Sequence, residues 1–191
     1  MRNKKVLFIT QAAVIAAIYV VLTMFIQAFN LASGNIQVRI SEALCILPVF
    51  TPAAVPGLWI GCLIANLLTP NLLIYDVIFG SLATLIGAVG TYLLRNHKFL
   101  CTLPPVISNM VIIPIILRYG YGYSFIFHEM DLSLPFFALT VGIGEIISIC
   151  VLGSILQRVL SKYRNILFSK NESRQKSEIT GKESSSRKKK D

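Results

Sequence analysis

Charge is scarce along most of this chain. Charged residues make up 14% of it against 54% hydrophobic, the mean hydropathy is +0.68, and the few ionisable groups between residues 6 and 160 include Arg39, Glu42, Asp76 and Glu145. So little charge excludes one soluble core, because several apolar runs reach the ~20 residues that cross a bilayer. Histidine is nearly absent, with only His97 and His128. The sequence has no HExxH, no GxSxG, no pair of intramembrane aspartates and no GxxxxGK[ST]; Gly181-Lys182-Glu183 is not a phosphate loop. Catalysis therefore has little to stand on, and uphill transport would draw on a partner ATPase or an ion gradient. Cys45, Cys62, Cys101 and Cys150 stand apart, without CxxC spacing or the loop placement of a disulfide framework, and read as small packing residues.

What is present is an all-α integral membrane pattern. Hydropathy and punctuation predict six segments, Val6–Phe29, Ser41–Phe50, Ala53–Leu68, Tyr75–Leu94, Leu103–Tyr119 and Leu134–Val159. The first follows Arg2, Lys4 and Lys5 but stays apolar far beyond the ~7–15 residues of a secretory core, so it is read as a retained span. Thr51 and Pro52 break the short second segment, which either spans or forms a re-entrant hairpin with the third. In both cases the termini share a compartment.

Lys and Arg place that compartment. With the N-terminus inside, Arg2, Lys4, Lys5, Arg95, Lys98 and every basic residue from Arg158 onward lie inside, leaving Arg39 and Arg118 outside. His97 then falls inside and His128 outside, so the two cannot share a metal. The expected organisation is a transmembrane solute-binding domain over 1–165 and a basic, Ser-rich, disordered cytoplasmic tail over 166–191. The net charge of +9 thus needs no nucleic acid, and Lys188–Lys190 can touch anionic membrane lipid.

Small residues mark packing faces. Ala12 and Ala16, and likewise Ala13 and Ala17, are four apart, which smooths one side of the first helix for a close neighbour, internal or external. Gly57, Gly61 and Ala65 repeat the spacing on the third segment, and Asp76, Gly80 and Thr84 on the fourth.

Charged groups in hydrocarbon are costly and mark function by default. Arg39, Glu42, Asn66 and Asp76 fall near the outer ends of their segments, while Asn109 and Glu145 sit ~15 Å deep at ~1.5 Å per residue. Together they read as a solute-binding cavity open to the outside, with Glu145 and Asn109 at its floor and Gly142 and Gly144 removing bulk beside a flat ligand. Arg39 offsets one of three carboxylates, which favours a cationic or donor-rich solute. The competing readings are a structural Arg39–Glu42 pair and interhelical hydrogen bonding by Asn66 and Asn109.

The blocks IQVRISEALCILPVFTPAAVPGLWIGCLIANLL (36–68), DVIFGSLATLIGA (76–88), LPPVISN (103–109) and GIGE (142–145) carry a family resemblance. Over about residues 6 to 160 the chain resembles the QueT family, queuosine-precursor substrate-binding (S) components of energy-coupling factor (ECF) transporters. The resemblance implies a six-transmembrane-helix bundle that captures 7-aminomethyl- or 7-cyano-7-deazaguanine from outside. It also implies work with a transmembrane coupling protein and, through it, two cytosolic ATPases, with Ala12, Ala13, Ala16 and Ala17 contacting the coupling protein. On this reading Glu145 takes the guanine-like edge, Asn109 and Asn66 complete the hydrogen bonding to the ring, and Glu42 or Asp76 meets the aminomethyl cation. No cofactor is implied. Cys45 departs from the small aliphatic or Thr expected there and bears on packing, and Tyr119, Tyr121, Tyr123, His128 and Glu129 are either a lid or an interfacial belt. Two alternatives stand beside it: an S component for another vitamin-like amine such as thiamine, and a stand-alone proton-coupled carrier or membrane scaffold.

Overall fold

Apolar periodicity and Gly/Pro punctuation set the element order seen in the computed structural model, which describes residues 4–28, 39–69, 73–97 and 99–167. Helix α1 spans Lys4–Ala28, a 3₁₀ segment Ile40–Val49, and α2 Ala54–Leu68. A π turn over Asp76–Gly80 leads into α3, Ser81–Leu93, and a short 3₁₀ turn over Leu100–Thr102 into α4, Leu103–Ile115. A second π turn, Ile116–Gly120, ends that run; β1, Ile126–Phe127, and β2, Met130–Asp131, form a small hairpin. Helix α5, Ser133–Glu145, continues through a π stretch, Ile146–Gly153, into α6, Ser154–Leu167. The chain divides into a unit ending at Gln157 and a second from Arg158. Of the basic groups used for orientation, Arg2, Lys98 and those after residue 167 lie outside the described residues, as does the Lys188–Lys190 cluster.

Four helical runs, Lys4–Ala28, Asp76–Leu93, Leu100–Gly120 and Ser133–Lys162, are long and apolar enough to cross a membrane. Their outward faces carry Ile9, Val21, Leu93, Val111, Leu139 and Val151, all exposed, while Glu42, Asp76, Asn109 and Glu145 are buried. This inversion of the soluble pattern suits hydrocarbon as the surrounding medium.

The path of the chain follows from its cross-links. Thr51 Oγ1 donates to Gln11 Oε1 at 3.0 Å, and Gln27 Nε2 donates to Thr69 Oγ1 at 2.6 Å, so α1 and α2 run parallel. The 3₁₀ segment must therefore return antiparallel between them, descending to the level of Gln11 before α2 climbs back. At ~2.0 Å per residue its ten residues cover ~20 Å, less than the ~30 Å hydrocarbon core. It is buried from Ser41 through Pro48, and Pro48 with Pro52 ends it. Helix α3 descends, α4 ascends and α5 descends; α1 to α5 pack in sequence, and the 3₁₀ segment is held between α1, α3 and the π stretch.

Glycine sets the closeness of α1 to α2. A Cβ on Gly57 would fall 2.7 Å from the Ala12 carbonyl oxygen, and one on Gly61 would fall 2.9 Å from Tyr19 Cβ and 3.0 Å from Ala16 Cα. Backbone contact of this kind drives helix association where no hydrophobic effect separates protein from solvent. Gly61→Val should lower stability by about 1–3 kcal/mol through overpacking, read as a fall in Tm of the detergent-purified protein. Ala13→Val, on the exposed side of α1, should leave the Tm unchanged.

Candidate functional site

Each of the six predicted segments contributes a buried polar side chain to a polar layer joined in pairs: Tyr19 on α1 with Glu42 on the 3₁₀ segment, Cys62 on α2 with Thr84 on α3, and Asn109 on α4 with Glu145 on α5. Glu42 is fully buried, with Oε1 accepting from Tyr19 Oη at 2.5 Å and Oε2 from the Cys45 thiol at 3.0 Å. Glu145, 5% exposed, accepts from Asn109 Nδ2 at 2.8 Å through Oε1 alone. Among the described residues its Oε2 has no hydrogen-bond partner, and neither does Ser148 Oγ one turn further along. Arg39 precedes the 3₁₀ segment and is close enough to Tyr19, Glu42 and Glu145 to act on each of them electrostatically.

The remaining two candidates form an adjoining group. Asn66 Nδ2 donates to the Asp76 carbonyl oxygen at 3.0 Å and lies 3.6 Å from Cys62 Sγ, which also accepts from Thr84 Oγ1 at 3.3 Å. The Asp76 carboxylate accepts a short hydrogen bond from Tyr121 Oη, and that oxygen accepts from the Leu73 N–H at 3.4 Å. Asn66 and Asp76 thus join α2, the start of α3 and the segment after α4. Arg39, Glu42 and Glu145 gather with Asn109 in the centre.

Several placements differ from what the residues suggested. Ala12 and Ala16 face Gly57 and Gly61 inside the bundle, so of the four alanines only Ala13 and Ala17 stay exposed. Gly142 does not open space beside Glu145, because Met110 fills it: a Cβ there would meet Met110 Sδ at 2.8 Å. Cys45 donates to Glu42 in addition to packing. The outer tyrosines and His128 divide by role. Tyr121 is a partner of Asp76, whereas His128 and Glu129 take the two positive-φ positions, 48° and 63°, of the β1–β2 turn. Arg118 braces that hairpin through Asp131 at 2.5 Å. Tyr19 and Ser148 join the buried polar groups without a sequence motif to mark them. Tyr19 sits on the Ala12–Ala16 face, which is the signal that could have pointed to it.

A family model described as QueT transporter matches residues 9–162. The chain belongs to the QueT transporter family. Over 99 residues it is also 37% identical to the Queuosine precursor transporter QueT of Lactococcus lactis subsp. cremoris (strain MG1363), a match covering 51% of this chain and 57% of that protein. The matched region is thus a little over half of the relative's length. No solved structure matches the chain. QueT-family membership and the four long apolar helical runs make this a multi-pass helical membrane protein, and the polar layer lies within the matched region.

Two outcomes follow for this QueT-family site. Tyr19→Phe removes the donor to buried Glu42 Oε1 and should cost about 1–3 kcal/mol, read by thermal or denaturant unfolding. Burial, reinforced by hydrogen bonding to Asp76, pushes the Tyr121 phenol up to about 12. Its folded value thus lies above the ordinary ~10, so its contribution is complete below about pH 10 and declines as pH rises toward 12. Unfolding measured across that range should show the decline in the parent and lose that component in Tyr121→Phe.

Proposed function

We propose that this chain is the substrate-binding component of an ECF-type uptake transporter, taking 7-aminomethyl- or 7-cyano-7-deazaguanine from outside the cell. The observation that carries this reading is the buried Oε2 of Glu145, which has no hydrogen-bond partner among the described residues, set in a layer that also contains Glu42 and Arg39. A carboxylate oxygen buried in hydrocarbon without a donor is costly. A guanine-like edge supplies two adjacent donors, N1–H and the 2-amino group, which one carboxylate accepts together. The relative's description as a queuosine precursor transporter supports the same class of solute.

Roles are assigned by what each side chain already does. Glu145 takes the donor edge, Asn109 orients Glu145 and offers its carbonyl oxygen to the ring, and Glu42 meets the aminomethyl cation while Tyr19 and Cys45 hold it in place. Arg39 limits the negative charge of the layer. Asn66 and Asp76, which engage each other and Tyr121, position the wall of the site. The exposed pair Ala13 and Ala17 is the surface offered to a transmembrane coupling protein, and two cytosolic ATPases acting through that protein supply the energy. Both termini are cytoplasmic on this reading, as the Lys and Arg distribution favours.

Calorimetric titration of the purified protein in nanodiscs with 7-aminomethyl-7-deazaguanine tests the substrate, with guanine, thiamine and riboflavin as competitors. Submicromolar binding that resists the competitors is expected. Glu145→Gln should weaken it about thirtyfold or more, from a loss of roughly 2–5 kcal/mol. Binding within threefold of the parent would remove Glu145 from its role, and binding of thiamine instead would remove the substrate.

A further inference from the structure

Many hydroxyl groups in these helices donate to a backbone carbonyl. Thr23 donates to the Tyr19 carbonyl, Thr69 to Ala65, Ser81 to Val77 and Thr84 to Gly80, each four residues back. Ser108 reaches Ala83 on the next helix, and Thr91 reaches Cys101. This is how hydroxyls are satisfied in apolar surroundings. Ser148 is 0% exposed, yet its Oγ has no partner among the described residues. It lies three residues after Glu145 in the π stretch Ile146–Gly153, the part of that helical run which packs on the 3₁₀ segment carrying Glu42. Helical departures of this kind are frequent at functional sites.

We propose that Ser148 is a second ligand-contacting residue, reading the N3/N9 edge of the deazapurine and selecting the free base over its N9-substituted forms. The inference rests on the substrate reading above. Glu145 and Ser148 are three residues apart where the run passes from α5 into the π stretch, so both side chains leave the same short length of buried backbone. A single hydroxyl both donates and accepts. Placed beside the N3/N9 edge, the Ser148 hydroxyl donates to N3 and accepts from N9–H, while Glu145 Oε2 accepts from the adjoining N1–H and 2-amino edge of the same ring system. One flat ligand would then satisfy both unpartnered atoms. A methyl or ribosyl group at N9 would remove the donor and collide with the buried hydroxyl.

The test measures affinity in nanodiscs for 7-aminomethyl-7-deazaguanine and its 9-methyl derivative, for the parent and for Ser148→Ala, together with the ligand-free Tm of each. The parent should prefer the free base by about a hundredfold or more. Ser148→Ala should bind the free base roughly 5–30-fold more weakly, show a smaller ratio between the two ligands, and keep the parent's ligand-free Tm or exceed it, since the hydroxyl has no partner to lose. Unchanged affinity and ratio in Ser148→Ala, or a clear drop in its ligand-free Tm, would overturn the proposal while leaving the substrate reading intact. A folded parent that binds neither deazapurine would overturn both.

Discussion

Two carboxylates, Glu42 and Glu145, lie in the middle of a bundle whose outer surface is aliphatic, and the surrounding architecture answers to the cost of holding them there. Glu42 is accommodated by the chain itself through the Tyr19 phenol and the Cys45 thiol. The first of these reaches across from α1, which is close enough only because Gly57 and Gly61 let α2 settle against Ala12 and Ala16. Glu145 is accommodated by half, through Asn109. One carboxylate is thus completed by the fold and the other leaves an oxygen for a solute.

Backbone irregularity falls at the same places. The element carrying Glu42 is a ten-residue 3₁₀ segment, Asp76 opens a π turn, and Glu145 ends α5 where the π stretch begins. A regular helix repeats its side-chain directions every 3.6 residues, whereas 3₁₀ and π geometry re-aim them without a change of sequence spacing. The cross-links between neighbours are mostly short-range pairs of amides, hydroxyls and thiols. Only Arg118–Asp131, at the hairpin, is an ion pair among the described residues.

Much of this was legible in the residues. Six apolar segments, the break at Thr51–Pro52, and the depth of Asn109 and Glu145 follow from hydropathy and from the price of charge in hydrocarbon, whereas Glu42, expected near the outer end of its segment, is fully buried against Tyr19. The matching small-residue spacings on α1 and α2 were visible too, but spacing alone does not say which of two alanine pairs faces inward. Tyr19 is not legible in the residues, because a tyrosine in an aliphatic run resembles packing until its hydroxyl's partner, 23 residues away, is known. Ser148 is harder still: a serine in a helix ordinarily bonds its own backbone, and only the π geometry and the absence of a partner set it apart. The hairpin rests on two non-glycine residues in the left-handed region, His128 and Glu129, where sequence preference for such turns is weak.

A ligand-bound structure tests the central claim most directly, determined on the protein saturated with 7-aminomethyl-7-deazaguanine. The account predicts the ring within the layer of Tyr19, Glu42, Asn109 and Glu145, with N1 or the 2-amino nitrogen about 2.7–3.2 Å from Glu145 Oε2. A ligand seated elsewhere, with Glu145 Oε2 taking a donor from the protein instead, would contradict it.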